Sequence, residues 1–386
     1  MLTTTTRARF TLGVLGLSLL ASGASAQSVP SRLADTTYWR MITDMSEPDG
    51  FFRSDNLVGN EGSLQWVIPK LQRELGTGNV YLGVAPDQNF TYMLALKPSI
   101  AFIVDIRRGA MLQHLLYKAL FELAADRADF LSMLFSRPRP SGLDAGSSVA
   151  TLLASYASIP GDSALYRNNV AAIRRHLTDT HGFALGPKDI DGIEYVFNAF
   201  FTAGPGLTYT FGQGTAGNFG GRGFGGRGMP SFGALLLETD SAGVNHAYLS
   251  SEEGYRWLRD FQSRNLLVPV IGDFAGPKAL RAVGQWVRDH TASIDAMYVS
   301  NVEQYLFMSP DAWRRYYANI GTLPITENAL FIRSLSGGGF RQMGPQSPNS
   351  RSVQLVSSVA ELLKAFAEGK VTSYQDVISM AKPLDH

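Results

Sequence analysis

The side chains best suited to chemistry lie directly after predicted strands, in four short polar clusters. The clusters are residues 83–89, Asp105, residues 272–274 and residues 300–305. Strands that alternate with helices imply a mostly parallel sheet, and such sheets bind ligands at the carboxyl ends of their strands. We therefore expect the four clusters to meet along one edge of a sheet, where a small-molecule ligand can bind.

Asp105 has the most informative spacing of these candidates. It follows Gly83 at close to the roughly 20 positions that separate a nucleotide-binding turn from the acid that holds a ribose. A carboxylate suits that role because it only accepts hydrogen bonds and can take both ribose hydroxyls. The alternative is that Asp105 merely ends a strand and pairs with Arg107 or Arg108. The spacing leaves both interpretations open.

Glu303 and Tyr305 form the candidate catalytic pair. A glutamate can act as a base, and a tyrosine hydroxyl can donate a hydrogen bond to a substrate. The structural alternative for Glu303 is that it satisfies backbone donors at the start of a helix. Taken together with Asn301, the cluster favours a substrate-binding role.

Composition and motifs exclude several other chemistries. The chain has no cysteine, which rules out disulfides, thiolate metal sites and a cysteine nucleophile. Its six histidines show no compact ligand spacing, so we expect no metal. A G-x-S-x-G elbow and a Walker A loop are also absent. Lys and Arg total 34 against 33 for Asp and Glu, so nucleic acid is not an expected partner.

The elements that position the clusters begin with a predicted β-α-β unit. Residues 79–84 are β-rich and precede a turn, and residues 90–97 can form a helix that Pro98 ends. Residues 100–106 are continuously apolar, which is typical of a strand covered on both faces.

Later segments repeat this alternation. Further strands are predicted at residues 234–238, 267–271, 294–299 and 329–335, and further helices at 61–75, 110–135, 250–265, from about 277, 311–320 and 351–381. Ser250 and Glu253 match a capping box for the helix that follows them. Pro269 cannot donate to a sheet ladder, so its strand is expected at an edge.

Residues 1–26 have the features of a secretory signal peptide. Arg7 and Arg9 precede an apolar run at residues 10–20, and an A-x-A site ends at Ala26. We therefore expect export to the periplasm or the medium. No later apolar stretch is long enough to span a bilayer, so the cleaved chain is not expected to cross a membrane.

The rest of the chain divides into three predicted parts. They are an N-terminal helical segment at 27–78, an α/β domain at 79–335 and a C-terminal helical segment at 336–386. Residues 137–233 are predicted to be a helical insertion in the α/β domain, and its end, 204–233, is a Gly-rich loop. Two arginines in that loop are too few for an RGG-type RNA-binding segment, so a surface loop is the better interpretation.

The order of these clusters resembles the class I S-adenosylmethionine-dependent methyltransferases over roughly residues 60–335. The resemblance implies a Rossmann-like sheet with helices on both faces. It also implies that the loop with Gly83, Asp87 and Asn89 approaches the methionine part of the cofactor. Asp105 would hold the ribose, and Asp273 with Phe274 would lie beside the adenine.

The same resemblance places Asn301, Glu303 and Tyr305 beside the methyl acceptor. It also puts the third strand at a sheet edge, in agreement with the position of Pro269. Residues 52–57 and 88–92 additionally resemble an uncharacterised exported bacterial family, which assigns no activity.

Two features favour a different function. The first loop holds one glycine, Gly83, where the methyltransferases usually have several, and export separates the chain from cytoplasmic S-adenosylmethionine. The alternative is a non-catalytic exported binding protein that kept the scaffold and lost the cofactor.

Overall fold

A computed structural model describes residues 28–209, 229–336, 350, 352–381 and 384. The predicted signal peptide and most of the Gly-rich loop lie outside the described residues. Within the described part, no helix has the length and apolar character needed to cross a bilayer.

Six strands of the described residues form one sheet in the order β3-β2-β1-β4-β5-β6. The strands are β1 Val80–Gly83, β2 Ile100–Asp105, β3 Leu267–Ile271, β4 Ile294–Ser300, β5 Ile325–Ser336 and β6 Ser352–Ser358. The first five are parallel, and β6 pairs antiparallel with β5. The predicted α/β class with a mostly parallel sheet is confirmed.

The sheet is flanked by helices. They are α1 Asp35–Met45, α2 Ile68–Glu74, α3 Gln88–Leu96, α4 Arg108–Leu123, α5 Arg127–Phe135, α6 Val149–Ala157, α7 Ser163–Arg175, α8 Pro187–Ala203, α9 Phe232–Leu237, α10 Glu252–Ser263, α11 Ala279–Asp289, α12 Val302–Leu306, α13 Ala312–Ile320, α14 Val359–Ala367 and α15 Tyr374–Ser379. Short 3₁₀ turns occur at Leu64–Val67 and Gly204–Gly206, and a π-helical turn at His176–Thr180 follows α7.

The burial and the sheet positions of the strands agree with their sequences. Every residue of β1 and β2 is buried, as their continuous apolar runs predict. β3 lies at the sheet edge, which confirms the expectation from Pro269.

Three predicted elements are wrong. Residues 234–237 of the strand predicted at 234–238 belong to helix α9, because the Ser231 hydroxyl accepts from the Ala234 N–H and starts a helix there. The single helix predicted at 110–135 is two helices, since the Asp126 side chain caps α5 by accepting from the Asp129 N–H. Residues 351–381 are not all helical, because Ser352–Ser358 form β6.

The cap of α10 is displaced by one residue from its predicted position. The hydroxyl that accepts from the Gly254 N–H belongs to Ser251 and not to Ser250. The helix predicted from residue 61 begins later, with the 3₁₀ turn at Leu64–Val67 leading into α2.

Arg127 joins α5 to α10. Its side chain is buried, its Nε lies 3.2 Å from the Glu252 carboxylate, and its Nη1 donates to the Leu249 carbonyl at 2.9 Å. Its Nη2 donates to the carbonyl oxygens of Ala145 and Ser147, each at 2.9 Å. One guanidinium thus ties the beginning of the helical insertion to the segment that follows it.

Replacement of Arg127 by Met is expected to lower the free energy of unfolding by about 3–5 kcal/mol, because Glu252 would remain buried without its main partner. Arg256→Met is the matched control. Arg256 pairs with the same Glu252 at 3.5 Å, but its side chain is 68% exposed, so its loss should cost at most about 1 kcal/mol. Urea denaturation measures both values, and equal losses in the two variants would contradict the anchoring role.

Candidate functional site

A cavity of about 140 Å³ lies at the carboxyl ends of β1, β2, β3 and β4. Each of these strands supplies lining residues from its end or from the loop that follows. The lining includes Val84, Ala85, Gln88, Asp105, Ile106, Arg107, Asp273, Phe274, Tyr298, Ser300, Asn301 and Tyr305. The N-terminal segment adds Phe52, Asn56, Asn60 and Glu61, and Tyr209 comes from the end of the helical insertion.

The cavity brings together part of the predicted site. The candidates that line it are Asp105, Asp273, Phe274, Asn301 and Tyr305. The candidates that do not line it are Gly83, Asp87, Asn89 and Glu303.

The pairing of Asp105 with Arg107, one of the two interpretations of its sequence position, is confirmed, whereas its binding of a ribose stays a prediction. Asp105 lines the cavity and also pairs with Arg107: its Oδ1 accepts from the Arg107 backbone N–H at 2.9 Å and from Nε at 3.2 Å, and its Oδ2 accepts from Nη2 at 3.3 Å. Arg107 in turn donates from Nη1 to the carbonyl oxygens of Ser54 and Asp55. The pair therefore fixes the N-terminal segment against the end of β2 and places a cation in the cavity wall.

Gly83 and Asn89 shape the first loop from within. The buried Asn89 amide donates to the carbonyl oxygens of Val84, Ala85 and Pro86, and its Oδ1 accepts from the Tyr81 hydroxyl at 2.9 Å. A Cβ at Gly83 would lie 2.0 Å from that Oδ1. Close approach of Asn89 explains the glycine, whereas the resemblance assigned both residues to the cofactor.

Asp87 is buried beside Tyr248, whose hydroxyl donates to Oδ2 at 3.3 Å. Among the described residues its Oδ1 has no hydrogen-bond partner. Burial raises the pKa of Asp87 from 3.8 to about 7. Asp87 therefore belongs to the packing behind the loop and not to the cavity wall.

Glu303 also lies outside the cavity wall. Its carboxylate pairs with the buried Arg333, whose Nη2 donates to Oε1 at 3.0 Å, and accepts from the Tyr317 hydroxyl at 2.8 Å. Both oxygens of this carboxylate are bound inside the fold, and Glu303 does not line the cavity. The structure therefore does not bring the predicted base to the site.

Tyr305 remains in the wall and is held there by the N-terminal segment. Its hydroxyl accepts from Arg53 Nη2 at 3.1 Å, and Phe52 packs edge-on against its ring at a centroid distance of 5.1 Å. Two aromatic rings thus line the cavity side by side.

Glu61 is a carboxyl group of the cavity that the strand-end rule missed. It accepts from the Tyr298 hydroxyl at 2.7 Å and from the Ser300 hydroxyl. Burial raises the pKa of Glu61, and the hydrogen bonds from Ser300 and Tyr298 oppose that shift. Glu61 precedes the first strand, so no pattern of strand ends points to it.

Gln88 lies in the predicted cluster 83–89 but was not singled out there as a site residue. Its amide nitrogen occupies the space beside Gly59, where a Cβ would lie 1.6 Å away. Its Oε1 is buried and has no hydrogen-bond partner among the described residues. Because an unpaired buried acceptor is costly, this oxygen is suited to a donor group of a ligand.

The cavity wall therefore combines three kinds of group. Asp105, Asp273 and Glu61 offer carboxyl oxygens, Arg107 offers a positive charge, and aromatic rings supply apolar surface. Such a wall suits a small ligand with hydroxyl or amino groups on an aromatic or apolar body.

Asp87→Asn is expected to change the pH dependence of stability. The native carboxyl binds its proton more tightly than the unfolded chain does, so its contribution to the free energy of unfolding falls as pH rises from 3.8 through about 7. Relative to wild type, the variant should gain at most about 1.4 kcal/mol per pH unit across this window. Urea denaturation at several pH values tests this, with the exposed Asp191→Asn as control. Parallel stability curves for wild type and Asp87→Asn would exclude the assignment.

Sequence comparison relates the chain to one family. No curated protein matches it. A family model described as Domain of unknown function (DUF7790) matches residues 57–145 and 234–383. The matched segments hold all six strands of the sheet, and the unmatched residues between them fall within the segment predicted as an insertion. Because the match covers more than half of the sequence, the chain belongs to the DUF7790 family.

Proposed function

We propose that the cavity binds S-adenosylmethionine and that the protein is a methyltransferase-like, Rossmann-like protein acting on a small acceptor. The observation that carries this proposal is the meeting of Asp105, Asp273 and Phe274 in one cavity, after adjacent strands β2 and β3. The strand order supports it as well. The direction of winding reverses between β1 and β4, and ligands of doubly wound sheets bind at such a reversal.

The residues present fit the nucleoside part of this cofactor. A carboxylate has about four acceptor positions, and Arg107 takes three on Asp105, so one remains for a ribose hydroxyl. On Asp273, Oδ1 accepts from the Ala275 N–H at 2.9 Å, which leaves Oδ2 as the oxygen for an adenine amino group. Phe274 provides an apolar ring beside them.

The cavity wall also holds groups that complement the amino-acid part of the cofactor. The unpartnered Gln88 Oε1 and the Glu61 carboxyl can accept from an ammonium group, and Arg107 can bind a carboxylate. When bound, S-adenosylmethionine supplies an activated methyl group. Methyl transfer depends chiefly on positioning the two reactants, which would fall to Asn301 and Tyr305 on the β4 side of the cavity.

A non-catalytic binding protein is the second candidate. The position of Glu303 favours it, because the predicted base is bound to Arg333 and Tyr317 outside the cavity. Under this alternative the cavity still binds a ligand, and only the methyl transfer is absent.

The decisive experiment is a thermal and chemical unfolding measurement of the purified chain with S-adenosylmethionine or S-adenosylhomocysteine. Ligand at about 100 times its Kd should raise the free energy of unfolding by about 2.7 kcal/mol. Asp105→Asn should reduce this gain strongly, because one oxygen that serves both Arg107 and the ribose is replaced by an amide donor.

The control is Asp44→Asn, the same chemical change at an exposed position of α1. Each variant is first compared with wild type without ligand, so that a loss of stability is separated from a loss of binding. A folded wild-type protein that gains nothing from either ligand would refute the cofactor proposal. Binding without methyl transfer to any of a panel of small acceptors would favour the second candidate.

A further inference from the structure

Outside the cavity, Glu122, His176 and His181 form a compact cluster. The Glu122 Oε2 lies 2.5 Å from His176 Nε2 and 2.6 Å from His181 Nε2. Among the described residues, these three form the group of His and acidic side chains whose ligand atoms lie close enough to share one metal ion. The side chains are 8–17% exposed, so the cluster is largely buried yet reachable from solvent.

Local backbone structure brings the two histidines together. The π-helical turn at His176–Thr180 follows α7, and the His181 N–H donates to the His176 carbonyl at 3.1 Å. This turn places residues five positions apart next to each other, and their ring centroids are 4.7 Å apart. Single π-helical turns are uncommon and occur frequently at functional sites.

Hydrogen-bond chemistry shows that a neutral His181 cannot donate a hydrogen bond to both of its carboxylate neighbours. His181 Nδ1 lies 2.8 Å from the Asp35 carboxylate, and its Nε2 lies 2.6 Å from Glu122. Carboxylates only accept, and a neutral imidazole has a hydrogen on one nitrogen alone. One ring nitrogen therefore directs its lone pair at a carboxylate oxygen, unless a cation lies between them or the ring carries a second proton.

Neighbouring residues orient two of the three groups, Glu122 and His181, as hydrogen-bonding neighbours orient metal ligands. Lys118 Nζ binds Glu122 Oε1 at 2.6 Å, which leaves Oε2 as the oxygen directed at the histidines. Asp35 holds His181 by Nδ1, the arrangement in which metal-bound histidines are commonly fixed by a carboxylate behind them.

We propose that Glu122 Oε2, His176 Nε2 and His181 Nε2 bind a divalent transition metal ion, with Zn²⁺ as the preferred ion. Two imidazole nitrogens and one carboxylate oxygen are a recurrent zinc ligand set, with water at the fourth position. Tetrahedral ligand atoms at zinc–ligand distances of about 2.0–2.1 Å lie roughly 3.4 Å apart. The side chains therefore need to separate by less than about 1 Å to admit the ion.

This site departs from the expectation of no metal, which rested on histidine spacing along the chain. That expectation compared histidines with each other. The third ligand comes from α4, 54 residues before His176, and is joined to the histidines only by folding.

Zn²⁺ binding to the tag-free full chain, freed of metal with a chelator, tests the site by calorimetry and by metal analysis after dialysis. One Zn²⁺ per chain should bind at neutral pH and stabilise the fold. Binding should weaken as the pH falls, because protons compete with the metal ion for its ligands. His176→Gln and His181→Gln should each lower the affinity at least ~10-fold, and Asp35→Asn should lower it by ~10–100-fold.

His246→Gln is the matched control. His246 also pairs with a carboxylate, Asp240 at 2.7 Å, and is exposed to a similar degree, but it lies outside the cluster. Its replacement should leave Zn²⁺ affinity unchanged. Absence of stoichiometric Zn²⁺ binding by folded wild-type protein, or equal affinity in His181→Gln, would overturn the proposal and leave a doubly protonated His181 as the explanation of the cluster.

Discussion

The cost of burying an unpaired charge decides where the polar side chains of this protein lie. Arg107 is buried against Asp105, Arg127 against Glu252 and Arg333 against Glu303. Each arginine side chain donates to at least three oxygen atoms inside the fold. A carboxylate that satisfies a buried arginine outside the cavity is lost to ligand binding, as Glu303 is. A carboxylate paired at the cavity wall, as Asp105 is, stays within reach of a ligand.

The sheet itself could be predicted well, because its signals are local. Apolar runs specify β1 and β2, and the missing donor of Pro269 specifies the edge position of β3. β6 could not be predicted in the same way. Its sequence, SVQLVSS, is rich in serine, and the Ser352 hydroxyl and the Gln354 amide nitrogen are hydrogen-bonded to Gly62 and Ser334, which lie far from them in sequence. Such a strand becomes stable only when β5 and the N-terminal segment are in place.

The candidate site was predictable to the extent that it follows the strand ends. Asp105, Asp273, Phe274, Asn301 and Tyr305 were found because parallel strands present their carboxyl ends at one edge. Glu61 was missed because tertiary contacts bring it to the wall, and Gln88 was not singled out although it lies in the cluster 83–89. The role predicted for Glu303 depended on a partner, Arg333, that lies 30 positions later. Contacts of that range leave no trace in the spacing of a single sequence.

The buried guanidinium of Arg127 joins the two ends of a long segment of the chain. It binds Ala145 and Ser147 on one side and Leu249 and Glu252 on the other. The segment between these contacts is thus a long loop whose two ends are held together by Arg127. Each doubling of the length of a loop whose ends are held together costs only about 0.6 kcal/mol of stability. Insertions at exposed turns between positions 148 and 233, which lie outside the segments matched by the family model, should therefore cost the fold little stability.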